Sequence, residues 1–189
     1  MEQVRLRGPR VILRPWDEAD RGPFAAMNAD PEVMRHVVST WTRAQSDAMA
    51  DRVFDHFDRF GYGLWALQTP EMAFAGFVGL SPPVPFEIPV PGFGGEQREI
   101  GWRLARSAWG RGDATEAAAL ARDHAFQVLR WPSLVSFTAR SNRRSMAVME
   151  RIGMAHAGDF DHPRVPAGHP VRPHALYAVA NPASRGGRS

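Results

Sequence analysis

The stretch that most constrains the fold is EIGWRLARSAWGRGDATEAAALARDHAF, Glu99 to Phe126. Residues Gln97 to Leu104 alternate, with Ile100, Trp102 and Leu104 on one face and Glu99, Gly101 and Arg103 on the other, the period of a strand with one apolar side. From about Asp113 to Leu129 the period changes, and Ala114, Ala117, Ala118, Ala121, Ala125 and Val128 share one side of a helix whose small side chains permit close packing on a sheet. Between the two lies Trp109-Gly110-Arg111-Gly112-Asp113-Ala114, so the chain passes from strand to helix through a glycine turn. Such a helix mouth offers unpaired amide donors and a partial positive charge, and glycines let an anion approach the backbone closely. Arg111 adds a cation that can fork onto phosphate oxygens. Each exposed helix-end contact is worth only about 0.3 to 1 kcal/mol, so several donors must act with Arg111 to hold a diphosphate. Taken alone, the turn reads as an anion site or as an ordinary strand-to-helix turn with a surface arginine.

The rest of the chain is organised around that unit. RLRGPRVILR, Arg5 to Arg14, reads as a first strand. Two short helices follow, with Asp17 as an N-cap and Asp30-Pro31-Glu32 as a capped start with proline in the first turn. Apolar residues at Ala48, Val53, Phe54 and Phe57 predict an amphipathic helix over Thr42 to Phe60 that ends at Gly61. YGLWALQT and AFAGFVGL, separated by PEM, predict a hairpin. The proline- and glycine-rich segment Ser81 to Gly95 fits neither a helix nor a central strand, and reads as a long loop that is either a tolerated insertion or substrate-facing. LVSFTAR is a further strand, NRRSMAVMERI a helix stopped at Gly153, and MAHAGDF and HALYAVA two closing strands. The order predicts a mixed α/β sheet in one domain over residues 1–182, followed by a polar tail at 183–189.

Composition excludes several classes of function. With 189 residues, 44% of them hydrophobic, one sizeable core is feasible. No apolar run reaches the length of about 18 residues that a membrane helix needs, and MEQVRLRGPR lacks a secretory apolar segment, so a cytoplasmic protein with no membrane partner is expected. There is no cysteine, which removes thiolate chemistry and cysteine-ligated metals. Every one of the 23 basic residues is arginine, so lysine Schiff bases and a phosphate-loop lysine are excluded too. The net charge is only +3, with arginines scattered among 20 acidic residues, which does not form a nucleic-acid-binding stripe.

The motifs in combination resemble a known family. Trp109 to Glu116 is similar to the acetyl-CoA diphosphate loop of the GNAT N-acetyltransferases, whose pattern is Gln/Arg-x-x-Gly-x-Gly/Ala, with Trp109 where that pattern has a polar residue. EIGWRL upstream and TARSNRRSMAVMERIGM downstream resemble the branch containing the bacterial ribosomal-protein N-terminal acetyltransferases. The resemblance covers roughly Val4 to Ala180. It implies a single-domain α/β fold with a mostly antiparallel sheet, flanked by helices and splayed at its centre between the strands of Glu99 and Thr138, with the pantetheine arm of acetyl-CoA in the gap. It further implies that backbone groups near Trp102, Arg103 and Leu104 pair with pantetheine. Amides from Gly110 through Arg111, Gly112, Asp113 and Ala114 to Thr115 would take the diphosphate, Asn142 would lie beside the cofactor, and Ser145 near its sulfur. The partner would be a small-molecule or peptide amine, and the protein a monomer or homodimer.

Acetyl transfer to an amine requires a neutral nucleophile and a stabilised departing thiolate. At pH 7 deprotonating an α-amine of pKa about 7.8 costs about 1 kcal/mol, against about 4.6 for a lysine-like amine. Glu99 is the carboxylate that the motif places best, as a base acting directly or through water, or else as a charge on a half-exposed strand. Family members often carry a tyrosine acid seven residues after the asparagine; here that position is Met149. Ser145 reads either as a donor to the thiolate or as part of the helix cap beside Asn142. A non-catalytic acyl-CoA-binding module is the alternative to an enzyme. His124 reads as packing, and His162, His169 and His174 as loop-ordering or substrate contacts rather than a metal set. Trp41, Trp65 and Phe93 are candidates for the acceptor wall, which FDHP, Phe160 to Pro163, is expected to border.

Overall fold

The computed structural model describes residues 3–185; the expected tail falls partly on 186–189, which lie outside the described residues. The first expected strand is in fact two, β1 (Leu6–Arg7) and β2 (Ile12–Arg14), because Gly8-Pro9 turns the chain between them. A 3-10 turn at Glu18–Asp20 leads into helix α1 (Arg21–Ala29), with Asp17 capping as its sequence position predicts. Arg14 and Asp20, both buried, join in a two-pronged ion pair at 2.7 Å and fasten β2 to this turn.

Helix α2 (Pro31–Met34) starts at the Asp30 cap, and helix α3 (Arg43–Phe60) runs from a Thr42 and Gln45 capping box to a left-handed Gly61. Strands β3 (Leu64–Gln68), β4 (Gly76–Leu80) and β5 (Ile100–Leu104) then complete an antiparallel sheet in the order β1-β2-β3-β4-β5. A second antiparallel sheet consists of β6 (Ser133–Ala139), β8 (Pro173–Ala180) and β7 (Ala155–Asp161), in the order β6-β8-β7. The sheets touch at a parallel bridge between Glu99 and Val135, where the Val135 amide donates to the Arg98 carbonyl at 2.9 Å. Beyond this bridge β5 and β6 part.

Helix α4 (Asp113–Gln127) lays Ala117, Ala118, Ala121 and Ala125, all fully buried, on the first sheet. Val128, expected on the same side, follows the helix and is 63% exposed. On the sheet's other face Phe24 of α1 packs edge to face against Phe77 of β4 and against Trp16, which in turn meets Phe74 edge to face. Helix α5 (Arg143–Arg151) ends before Gly153 as predicted. The loop Ser81 to Gly95 is not a loose insertion: Ile88 and Val90 are buried against Val135, Phe160 and Leu176, so it covers the second sheet. Among the described residues no helix is long and apolar enough to cross a membrane.

Candidate active site

A cavity of about 1440 Å³ runs from the mouth of α4, through the gap between β5 and β6, to the face of the sheet beneath α2. Its first wall is the glycine turn. Gly110 and Gly112 have φ of +79° and +84°, a left-handed backbone that suits glycine, and a side chain at Gly110 would meet nothing within 4 Å, so the space above it is open. Five consecutive backbone N–H groups, Gly110 to Ala114, have no partner among the described residues. The Thr115 N–H, expected among the donors, is instead bonded to the Gly112 carbonyl at 3.1 Å. A row of orphaned amides at a helix N-terminus is the donor set that a diphosphate needs, and the cavity has room for a long cofactor.

The cations at this mouth differ from the expected one. Arg111 turns its guanidinium toward Glu71, 3.6 Å away, and lies outside the cavity wall. Arg10, Arg143 and Arg144 line the wall instead. Arg144 sits 4.7 Å over the ring of Trp109, whose indole N–H donates to the Leu104 carbonyl at 3.0 Å. Trp109 thus braces β5 against α5 and carries a cation on its face. Arg10 reaches the Arg111 carbonyl at 2.7 Å and Glu116 at 2.8 Å, holding the turn from the far side. Sequence spacing did not reveal these three, since each depends on elements remote in the chain. If these cations hold the diphosphate, Arg144→Ala should raise the KM for acetyl-CoA on the order of tenfold, the loss of one charged hydrogen bond, with Arg111→Ala changing it less; steady-state kinetics checks both.

Strand β5 forms the second wall. The Ser81 N–H bonds to the Glu99 carbonyl, and the Ala105 N–H to the Ala75 carbonyl, so odd-numbered residues of β5 address β4 and even-numbered ones address the gap. Trp102 therefore turns both backbone groups to the gap, and Leu104 its N–H, while its carbonyl is held by Trp109. The backbone of Arg103, expected in that role, faces β4, and its side chain lines the cavity.

The third wall is the start of α5. Asn142 caps this helix, its Oδ1 accepting from the Ser145 N–H at 3.3 Å, while its Nδ2 donates to Thr138 Oγ1 and Ser145 Oγ, both at 3.0 Å. With its oxygen already accepting, the Ser145 hydroxyl keeps its proton for a donor role inside the cavity. Met149 lines the same wall and, as the sequence implies, brings no acid; Tyr177 is buried elsewhere, bonded to Glu150 at 3.1 Å.

Glu99 stands where the two sheets meet, lining the cavity beside Gly101, Ser136, Phe137 and Thr138. No ion pair or hydrogen bond engages its carboxyl among the described residues. Desolvation alone pushes its pKa up to about 7, so it can be neutral or charged at physiological pH. A desolvated carboxyl in a cavity is the environment that a general base requires.

The remaining expectations divide. Trp65 is core, with no exposure and its indole bonded to the Val4 carbonyl. His124 packs edge-on against Trp65, as expected. His162 and His174 lie 4.8 Å apart among Phe86, Phe137 and Phe160, so FDHP does flank a cavity residue, Phe137. Among the described residues no group of three or more His, Asp or Glu side chains could hold a metal ion.

Comparison with known proteins supports this architecture. The model of the acetyltransferase (GNAT) domain matches residues 10–155. An FsC-acetyl coenzyme A-N(2)-transacetylase of Aspergillus fumigatus is 28% identical over 171 residues, 84% of this chain and 68% of that one. A solved acetyltransferase from Agrobacterium tumefaciens superposes with a TM-score of 0.74 at 28% identity over 95% of both chains. RimL, a ribosomal L7/L12 alpha-N-protein acetyltransferase solved in complex with coenzyme A, shares the fold at a TM-score of 0.74 and 15% identity, over 94% of this chain and 98% of that one.

Proposed function

The chain belongs to the GNAT family of acetyl-CoA-dependent N-acetyltransferases, and from that premise we propose that it acetylates a primary amine, of a protein N-terminus or a small molecule, by direct attack in a ternary complex. The observation that carries this reading is one continuous cavity with a row of unpaired amides at one end and, beyond the gap, a lone carboxyl group poised near neutrality. Acetyl-CoA supplies an activated acetyl thioester. The chain's own groups do the rest: amides of Gly110 to Ala114 with Arg143 and Arg144 hold the diphosphate, and Trp102 with the Leu104 N–H aligns the pantetheine. Glu99 Oε takes the proton of the incoming ammonium, directly or through one water, so that the nitrogen is neutral when it attacks. The Ser145 O–H donates to the departing sulfur, held in place by Asn142.

The test is release of free thiol from acetyl-CoA in the presence of amines of different classes: N-terminal peptides, amino acids, aminoglycosides and polyamines. Thiol release with a matching N-acetyl product is the expected result. Tight acetyl-CoA binding without turnover on any amine would instead make the protein a binding module.

A further inference from the structure

Among the arginines that line this cavity, Arg103 is the one that burial desolvates while no carboxylate pairs with it. Its side chain projects from β5 on the same face as that of Glu99 and lines the cavity. The guanidinium packs over two aromatic rings, 4.8 Å from the Trp41 centroid and 5.5 Å from that of Phe77, its cross-strand neighbour. One edge is fixed: Nη1 donates to Asn28 Oδ1 at 2.6 Å, and Asn28, fully buried, donates onward to the buried Ser46 hydroxyl at 3.1 Å. The other N–H groups have no protein acceptor among the described residues, and no carboxylate lies within 4 Å. Burial alone acts on it, pulling its pKa down to about 10, which still leaves it fully charged at neutral pH. The acidic residues of the adjoining turn are already taken, Asp30 by Arg106 and Glu32 by Arg35. A desolvated, oriented cation without an anion is costly unless a ligand supplies one.

We propose that Arg103 is a specificity residue for the acceptor: the amine that this protein acetylates carries a carboxylate, which the free edge of the Arg103 guanidinium receives as a two-pronged hydrogen bond. This rests on the acetyltransferase reading above. Trp41 and Phe77 hold the guanidinium plane, and Asn28 fixes its rotation, so the remaining edge is presented in one orientation. Glu99, immediately before β5, and Arg103 within it are four residues apart, about 13 Å between Cα atoms of extended chain, which sets a proton acceptor and an anion receptor at two ends of one acceptor site.

The experiment compares kcat/KM for acetylation of ω-amino acids of increasing length, glycine to 8-aminooctanoate, with that of the n-alkylamines of the same length, and adds peptides with and without a near-N-terminal aspartate. The carboxylated member of at least one pair is expected to be favoured on the order of 30-fold, expressed in KM, with the preferred length reporting the spacing. Arg103→Met should abolish that preference while leaving kcat/KM of the uncharged alkylamines within about threefold, and Arg103→Lys should restore part of it. Equal rates for carboxylated and plain amines in the wild-type protein would overturn the proposal without any variant having to fold. So would a fall in kcat shared by all amines in Arg103→Met, which would place Arg103 on the cofactor or the reacting centre. Absence of acetylation with every amine would overturn the acetyltransferase reading itself, an outcome separate from the first two.

Discussion

Glu99→Gln should lower kcat by about 100- to 1000-fold with folding intact. The substitution keeps volume and one acceptor oxygen but removes the capacity to take up a proton. The loss should be largest with amines of high pKa, where the nitrogen is almost entirely protonated at pH 7, and smallest with α-amines, whose deprotonation costs only about 1 kcal/mol. Stability separates this from damage. The folded-state pKa of Glu99, about 7, lies above its ordinary value of 4.5, so the folded protein holds the proton more tightly than the unfolded chain. The carboxyl's contribution is fully present below pH 4.5 and is lost as pH rises through 7. Gln has no such penalty, so the variant should match wild type near pH 4 and exceed it above pH 7, by up to about 3 kcal/mol. Denaturant titrations at the two pH values check the sign.

Gly79→Ala should destabilise the protein by at least about 3 kcal/mol and leave little soluble, active material at 37 °C. Gly79 sits in β4 between Leu64 of β3 and Gly101 of β5. A methyl group there would overlap the Gly63 carbonyl oxygen and come within 2.9 Å of both Leu64 Cα and Trp65 Cε3. Two of those three obstacles are backbone, and the third is a fully buried indole, so relief requires β3 to move away from β4. Because β4 positions β5, the wall bearing Glu99 and Trp102 would move too. Thermal unfolding followed by circular dichroism measures the loss. A variant with wild-type Tm would mean that β3 and β4 are less tightly apposed than described.

The glycine turn, the Thr42 to Gly61 helix and the β3-β4 hairpin were legible in sequence because each is determined locally, by caps, turn residues and period. What needed the structure is non-local. Arg144 reaches Trp109, and Trp109 reaches Leu104, across three separate elements. Arg111 occupied the conspicuous position in the motif, yet a neighbouring carboxylate, Glu71, turns it aside. The proline loop looked structureless, but Ile88 and Val90 anchor it, and nothing in their spacing says which strands lie beneath. Arg103 alternates correctly on its strand, while its anchoring by Asn28 depends on where α1 crosses the sheet. The candidate base was visible as a motif position; the environment that raises its pKa was not, since desolvation at Glu99 comes from the junction of two sheets.

The measurement closest to the central claim is the pH dependence of kcat at saturating acetyl-CoA and amine, for wild type and Glu99→Gln side by side. The account predicts a wild-type rate that rises with a midpoint near pH 7 as Glu99 loses its proton, and a variant in which that limb is gone and the rate follows only the amine. Superimposable profiles, rising together to the pKa of the amine, would contradict it and remove Glu99 from the chemistry.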